Sequence, residues 1–382
     1  MTDSQRRSAD AASRELTVVG GGVIGLTCAL TAADAGWRVR VLDAGADDRA
    51  SWVAGGMLGS LGEGHPGEEA SLALSVESVG RWPALVERLD DEGIVTATDS
   101  LFVAASAADL GYLRNLADFV WAQQPRPDST PPSDSTLPSD SSLQTDSSLQ
   151  AGSTLHPVNG REIRTLEPSL SSRLVGGYRA VGEWAVDNRR LLAALRSAAA
   201  GAGVEFVSRN VESLAELDRE LDADVQILLA AGLGTATLWP GARLLPAKGE
   251  ILRLRRTRWS VPPPRHVIRA RLHARDVYLV PRDDGIVVGA TQYEPEGTAD
   301  RTPQAGGVAD LLADAIEVLP GLRTYELVEA GAGLRPCTSD GLPLVTRVDT
   351  RTVVATGHGR NGIVLAPGTA AQVLSILEGD DE

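Results

Sequence analysis

The stretch LTVVGGGVIGLTCALTAADAGWRVRVLDAG, residues 16–45, decides the fold. Its first apolar run predicts a buried strand over 17–19, its periodicity predicts a helix over 23–35, and its second apolar run predicts a strand over 38–43. Gly20, Gly22 and Gly25 form the pattern G-x-G-x-x-G between the first strand and the helix. This order of strand, glycine-rich turn, helix and strand is typical of a dinucleotide-binding domain of the α/β class.

The chemistry of the turn explains what it can bind. Gly20 permits the tight turn, Gly22 allows a pyrophosphate to approach the backbone, and Gly25 lets the helix pack closely on the strand. The N-terminus of the helix then presents its N–H groups to the phosphates. Asp43 ends the second strand, where a carboxylate can bind ribose hydroxyls. The alternatives are a glycine-rich turn without a ligand, and an Asp43 that merely caps a helix or faces solvent.

Composition excludes several classes of function. The chain has 382 residues, of which 43% are hydrophobic and 23% charged, so it is long enough for two domains and a large core. Its 36 basic and 51 acidic residues give a net charge of -15, which argues against nucleic acid as a partner. The first fourteen residues lack the apolar segment of an export signal, and no run of eighteen apolar residues follows. We therefore expect neither export nor a membrane span.

Cysteine and histidine usage narrows the chemistry further. The two cysteines, Cys28 and Cys337, cannot form a disulfide framework, which favours a reducing cytoplasm. The five histidines are scattered without the spacing of metal ligands, so no metal site is expected.

Several segments outside the fingerprint have recognisable patterns. Residues 125–156 repeat Ser-Asp-Ser with Pro and Thr, which predicts a disordered insertion, and residues 1–13 are expected to be a flexible tail. Periodicity predicts helices over 71–89 and 188–200, and apolar runs predict strands over 204–207 and 225–230. Between 249 and 291 the apolar runs are short and often alternate with polar residues, which predicts an antiparallel sheet.

Four further motifs occur in a fixed order: ASWVAGGMLG (50–59), ILLAAGLGT (227–235), AGLRPCTSDGLPLV (332–345) and ATGHGRNGIVLAPGTA (355–370). With the fingerprint, they make the chain resemble the D-amino acid oxidase superfamily of FAD-dependent oxidoreductases, and within it the glycine oxidases of thiamine biosynthesis. The resemblance implies a doubly wound, Rossmann-like FAD-binding domain over 14–90, 157–245 and 331–379. A substrate domain on a mainly antiparallel sheet would take 91–124 and 246–330, making the protein α/β, or α+β overall.

The resemblance implies FAD as a noncovalent cofactor. It assigns FAD contacts to Gly20, Gly22, Ile24, Gly25, Asp43, Ala44, Ser51, Gly55, Gly56, Met57, Val211, Gly232, His358, Gly359, Arg360, Asn361, Gly362, Ile363 and Val364. The run VLAPGTAAQVLSIL (364–377) predicts a helix whose N-terminus would face the pyrimidine edge of the flavin. Sarcosine oxidases of the same superfamily link their flavin through a cysteine, so Cys337 leaves a covalent link as an alternative.

Three residues are candidates for binding a substrate carboxylate. Arg335 matches the arginine of the superfamily's GLRP motif, and its planar guanidinium can bind both carboxylate oxygens. Tyr278 and Arg360 match a tyrosine and a second arginine near the substrate. Each has a simpler alternative: an ion-paired or exposed Arg335, a core Tyr278, and a surface charge at Arg360.

The resemblance also implies the reaction. Hydride would pass from the α-carbon of glycine to flavin N5, the imine would hydrolyse to glyoxylate and ammonia, and O2 would reoxidise the flavin to give H2O2. No catalytic side chain is required, because the flavin performs the chemistry and the protein aligns the substrate. One alternative is an oxidase or dehydrogenase of D-amino acids, sarcosine or proline, with a quinone as acceptor; another is a flavin-binding subunit without turnover. A homo-oligomer is compatible with the sequence.

Overall fold

The protein contains two β-sheets with helices packed around them. The computed structural model describes residues 14–45, 49–61, 65–123, 154–293 and 300–379. The predicted tail over 1–13 and residues 125–153 of the predicted insertion lie outside the described residues. In the described ranges, no helix is long and apolar enough to cross a membrane.

Strands and helices alternate in the first part of the chain, and strands dominate from residue 245 to residue 289. The strands are β1 Glu15–Val19, β2 Arg38–Asp43, β3 Val95–Ala104, β4 Thr154–Asn159, β5 Gly176–Val186, β6 Glu205–Ser208, β7 Gln226–Leu229, β8 Leu245–Arg255, β9 Val267–Leu272, β10 Arg275–Arg282, β11 Gly285–Gly289, β12 Glu326–Cys337, β13 Leu344–Arg347 and β14 Thr352–Thr356. The helices are α1 Val23–Asp34, α2 Ala50–Val53, α3 Glu69–Val79, α4 Trp82–Leu89, α5 Ala107–Gln123, α6 Gly160–Leu166, α7 Asn188–Gly201, α8 Leu214–Glu220, α9 Thr235–Leu238, α10 Ala305–Val318 and α11 Ala366–Glu378.

The first sheet has the strand order β13-β14-β7-β1-β2-β6. All neighbouring pairs are parallel except β13 with β14. β1, β7 and β14 are almost completely buried, as expected for strands covered on both faces. Helix α1 packs against α7 and α11. This is the predicted doubly wound, Rossmann-like domain, and the strand and helix of residues 16–45 lie at its centre.

The second sheet has the order β12-β8-β11-β10-β9-β3-β5-β4. Its neighbouring strands are antiparallel except β3 with β9. Leucine, isoleucine and valine side chains on its strands form a core with α10. The prediction of a second domain on a mainly antiparallel sheet is confirmed.

The predicted domain boundaries need three corrections. Residues 157–245 were assigned to the nucleotide-binding domain, but β5 pairs with β3, and β4 pairs with β5, in the second sheet. Residues 154–156, assigned to the insertion, begin β4. Likewise, residues 331–337 belong to β12, which pairs with β8. A local pattern identifies a strand but not its partner, and these partners lie about 80 residues away in sequence.

The helix predicted over 71–89 is two helices, α3 and α4. Gly80 ends α3, and Pro83 lies in the first turn of α4, where its missing N–H costs nothing. The helix predicted from residue 364 begins at Ala366, after a short 3-10 turn over 359–361. Ser78 caps its first turn, because its Oγ accepts a hydrogen bond from Gly368 N at 3.0 Å.

Candidate active site

A cavity of about 610 Å³ runs from the glycine-rich turn to the second sheet. One end lies at the carboxyl ends of the parallel strands, where open α/β sheets bind ligands. Apart from Gly25, every residue that the sequence assigned to cofactor or substrate lines this cavity. The described lining has seven arginines (Arg49, Arg209, Arg269, Arg271, Arg301, Arg335 and Arg360) and two carboxylates (Asp43 and Asp276). The cavity of this acidic protein therefore favours an anionic ligand.

The glycine-rich turn lies where backbone atoms approach each other closely. Gly20 has φ +113°, and a Cβ at this position would lie 2.4 Å from the carbonyl oxygen of Ala230. A Cβ at Gly25 would lie 1.9 Å from the Gly20 oxygen, which is the close helix–strand packing expected of the third glycine. At the N-terminus of α1, Val23 N donates to Ser51 Oγ at 3.1 Å. Because its glycines carry no side chains, the turn presents its backbone directly to the cavity.

Asp43 lies at the end of β2, beside this turn. Its Oδ1 accepts from Gly45 N at 3.3 Å, and its Oδ2 lies 3.3 Å from Arg49 Nη1. Arg196 Nη1 lies 3.8 Å from the same Oδ2. The carboxylate lines the cavity beside Gly21, where an added Cβ would lie 2.4 Å from its Oδ2. Sequence reasoning missed Arg49, which follows three residues outside the described ranges.

The far end of the cavity is built from strands of the second sheet. The Tyr278 ring packs between Gly55 and Gly289, where an added Cβ would meet its ring atoms at 2.9 Å and its hydroxyl at 2.3 Å. The Arg335 guanidinium covers Gly249, where a Cβ would lie 2.3 Å from its Nη2. Glycines therefore make the room in which both side chains lie over the sheet.

Arg335 has a buried polar atom that the described protein does not satisfy. Its Nη1 has no hydrogen-bond partner among the described residues. A buried donor without a partner is costly, and a carboxylate would supply the missing acceptor. Arg335 therefore brings an unsatisfied hydrogen-bond donor to the cavity lining, among the described residues.

Arg360 differs from Arg335, although the sequence placed both at the substrate. Its Nη2 donates to Glu68 Oε2 at 2.5 Å, and each side chain is about one-third exposed. The pair borders a side chamber of about 200 Å³ that also touches Arg335. Glu68 was missed because it lies 292 residues from its partner, and no local pattern reveals such a pair.

His358 and Cys337 lie close together behind these arginines, as an isolated bridge between their backbones shows. His358 Nε2 lies 2.9 Å from Thr369 Oγ1, and burial lowers the pKa of the ring to about 4. The ring is therefore neutral at pH 7. Burial raises the pKa of the Cys337 thiol, so it is protonated as well.

The cavity continues past Tyr278 along β9 and α5. Arg269 and Arg271 lie on the same face of β9, and Arg271 stacks 4.0 Å from the centre of the Tyr112 ring. Phe102, Leu113 and Leu116 line this extension with apolar surface. The alternating run HVIRARLHA contained the signal for both arginines, but sequence alone does not say which face of a strand meets the cavity.

The residues present fit FAD. A dinucleotide needs a glycine-rich turn at a helix N-terminus, an acid at the end of the second strand and a long cavity, and all three occur together here. In the part of the chain that the structure describes, no group of three or more His, Cys, Asp or Glu side chains is placed to hold a metal.

Comparison with known proteins agrees with this geometry. The family model described as FAD dependent oxidoreductase matches residues 15–375. The glycine oxidase of Geobacillus kaustophilus is 29% identical over 385 residues, which are 95% of this chain and 93% of that protein. A crystal structure of glycine oxidase from the same organism superimposes with a TM-score of 0.77 at 27% identity, covering 96% of this chain and 94% of that one.

A longer relative is similar as well. The bifunctional protein ThiO/ThiG of Synechocystis sp. is 27% identical over 379 residues, which are 95% of this chain but 51% of that protein. This chain thus spans about half the length of the bifunctional relative.

Proposed function

We propose that this chain, which belongs to the family of FAD-dependent oxidoreductases, is an amine-oxidising enzyme and that its substrate is glycine. The overall reaction would convert glycine, O2 and water into glyoxylate, ammonia and H2O2. The proposal depends above all on Arg335, which lines a cavity that begins at the dinucleotide cradle and whose buried Nη1 has no hydrogen-bond partner among the described residues.

In this proposal the protein binds the cofactor and aligns the substrate. Gly20, Gly22 and Ser51 would hold the pyrophosphate at the N-terminus of α1, and Asp43 would hold the ribose. Bound FAD supplies the two-electron acceptor. Arg335 would bind the substrate carboxylate through two parallel hydrogen bonds, with the Tyr278 hydroxyl as a third contact, which fixes the orientation of the α-carbon. His358 would not act as a base, because burial lowers the pKa of its ring to about 4, which makes it a weak proton acceptor, and its Nε2 is already paired with Thr369 Oγ1.

Glycine is favoured by the relatives. Proteins named glycine oxidase match nearly the whole chain, and others are named for thiamine biosynthesis. We propose that the imine formed from glycine is consumed in making the thiazole of thiamine. Both cysteines are free, which agrees with the reducing cytoplasm that we propose as the compartment.

A second candidate substrate class is supported by the extension along β9 and α5. Its apolar lining, Phe102, Leu113 and Leu116, offers space beyond what glycine needs. D-Alanine, sarcosine or proline would place a methyl group or ring there. Such a pocket discriminates weakly, since each methylene is worth about 1 to 3 kcal/mol.

Anaerobic bleaching of the flavin absorbance tests the proposal. Glycine, sarcosine, D-alanine and D-proline are added in turn to the purified, FAD-loaded protein, and air is then readmitted. Fast bleaching by glycine, with stoichiometric peroxide on readmission, is the expected result. Faster bleaching by a larger amine would move the assignment to the second class. Yellow protein that none of the four bleaches would reject turnover of these amines and favour a flavin-binding subunit.

A further inference from the structure

A buried polar cluster lies directly behind the segment 51–55, whose residues line the cavity. Asn188, the first residue of α7, is completely buried, and its Nδ2 donates to the carbonyl oxygens of Ser51 and Trp52, both at 2.8 Å. Its Oδ1 accepts from Arg253 Nη2 at 3.2 Å and lies 3.4 Å from Arg282 Nη2. We call Asn188, Arg253 and Arg282 the Asn188 cluster.

The two arginines also reach the same segment. Arg282 Nη2 donates to the carbonyl oxygen of Gly55 at 2.9 Å, and Arg253 Nη2 donates to that of Trp52 at 3.3 Å. Ser51, Trp52 and Gly55 therefore have carbonyls fixed by side chains from outside the segment. A four-residue helix cannot hold its own shape, so these contacts determine where it lies.

The cluster joins the two sheets. Asn188 begins a helix that packs on the nucleotide-binding domain, whereas Arg253 and Arg282 come from β8 and β10 of the second sheet. Arg282 is on the same strand as Tyr278, and the Tyr278 ring packs against Gly55. Gly55 is thus held by Arg282 through its carbonyl oxygen and is limited by Tyr278 at its α-carbon.

The charges of the cluster are balanced at its rim. Arg282 Nε lies 3.4 Å from Asp187 Oδ2, and Arg253 Nε lies 3.8 Å from Glu329 Oε2. Burial lowers the pKa of Arg282 to about 10, which leaves it cationic at neutral pH. The cluster therefore presents stable donors rather than a titrating switch.

We propose that Asn188, Arg253 and Arg282 are positioning residues that lock the segment 51–55 to Tyr278, so that cofactor-contacting backbone and substrate-contacting hydroxyl keep one geometry. The inference rests on the flavin site proposed above. None of the three touches the reacting atoms; they act through the carbonyls of the segment and through the strand that carries Tyr278.

Two variants with matched controls test the proposal. Asn188→Asp removes both N–H donors of the side-chain amide but keeps an oxygen that accepts from the arginines. Arg282→Lys keeps the positive charge but loses the planar set of guanidinium donors. Asp109→Asn is the control for Asn188→Asp. Asp109 is also buried, and its Oδ1 accepts a hydrogen bond from the backbone Ala274 N, away from the segment 51–55. Arg275→Lys matches the second, because Arg275 lies on the same strand and pairs with Asp314.

The readouts are the FAD dissociation constant, titrated on apoprotein by fluorescence, the visible spectrum of bound flavin and the unfolding temperature of the apoprotein. We expect the cluster variants to weaken FAD binding about tenfold or more and to alter the flavin band shape. The controls should keep both within about twofold of wild type. Equal FAD affinity and unchanged spectra in the cluster variants would overturn the proposal, whatever their unfolding temperatures.

The comparison of cluster and control variants does not require the protein to turn over a substrate. FAD titration reads the cofactor site directly, so a protein that does not oxidise glycine still decides for or against the cluster. If Asn188→Asp does not fold, Arg282→Lys alone decides. Wild-type apoprotein that does not bind FAD would reject the flavin site and the positioning role together.

Discussion

The two ends of the cavity are built in different ways. At the nucleotide end the glycine-rich turn consists of contiguous residues, 20–25, and its shape depends on backbone atoms that approach within van der Waals distance. The proposed substrate end consists of side chains, Tyr278 and Arg335, from strands that are separated along the chain. The glycine-rich turn therefore depends on the absence of side chains, whereas the other end depends on the functional groups of Tyr278 and Arg335.

This difference predicts which properties of the protein a substitution at each end should affect. A side chain added at the nucleotide end collides with backbone that cannot move away, so folding and cofactor binding are lost together. A side chain replaced at the substrate end leaves the sheet intact, so only substrate binding is lost. The predictions below test this distinction.

The largest effect is expected for Gly20→Ala. The new Cβ would lie 2.4 Å from the Ala230 carbonyl oxygen at a residue with φ +113°. We expect a loss of about 3 kcal/mol or more in unfolding free energy, because strain and collision add, and FAD affinity about 100-fold lower or worse. Chemical denaturation and FAD titration measure the two effects.

Gly36→Ala is the matched control. Gly36 also has a positive φ, +88°, but no described residue has an atom within 4 Å of an added Cβ. It should lose about 1 to 2 kcal/mol from strain and keep its FAD affinity. If both variants lose FAD equally, the close approach at Gly20 does not define the nucleotide end.

Arg335→Lys should impair the binding of substrate without affecting the binding of FAD. The ammonium cannot reproduce the two parallel donors of the guanidinium, so we expect kcat/KM for glycine to fall about 100- to 1000-fold, about 3 to 4 kcal/mol of lost transition-state binding. FAD affinity and unfolding temperature should stay near wild type. A comparable loss of FAD affinity would show that the two ends are not separable.

Arg360→Gln should have a smaller effect on the same reaction. Arg360 is already paired with Glu68 and partly exposed, so solvent screens its charge and a second carboxylate competes for it. We expect kcat/KM to fall less than about tenfold. A loss as large as that of Arg335→Lys would place both arginines on the substrate.

The sequence could predict the nucleotide end in detail, because adjacent residues in the chain are also adjacent there. It could also predict an antiparallel sheet in the part of the chain where the consecutive strands β9, β10 and β11 pair. It could not assign β5, whose partner β3 lies about 80 residues earlier, or the Arg360–Glu68 pair, because such contacts depend on how distant segments meet. Arg335 was found through its motif, but only the structure shows that its buried Nη1 has no hydrogen-bond partner in the described part of the chain.

His358→Gln is expected to change how the stability of the protein depends on pH. Burial lowers the pKa of His358 from 6.5 to about 4. Between these values the unfolded chain binds more protons than the folded one, so stability is lost as pH falls. This residue should cost wild type about 2 kcal/mol between pH 7 and pH 5, a loss that His358→Gln avoids. Thermal unfolding at both pH values checks this, and exposed His156→Gln should keep the wild-type dependence.

Cys337→Ala is expected to have the smallest effect. Covalent attachment of a flavin to cysteine requires a reactive thiolate, whereas burial raises the pKa of this thiol and its Sγ lies 3.8 Å from the Arg335 carbonyl oxygen. FAD should therefore appear in the supernatant when wild-type protein is precipitated with acid, and Cys337→Ala should keep its FAD affinity within about twofold. Flavin that stays on the wild-type polypeptide and leaves the variant would contradict this. A covalent bond at Cys337, two residues from Arg335, would tie the cofactor to the strand that binds the substrate, and the two ends could then no longer fail independently.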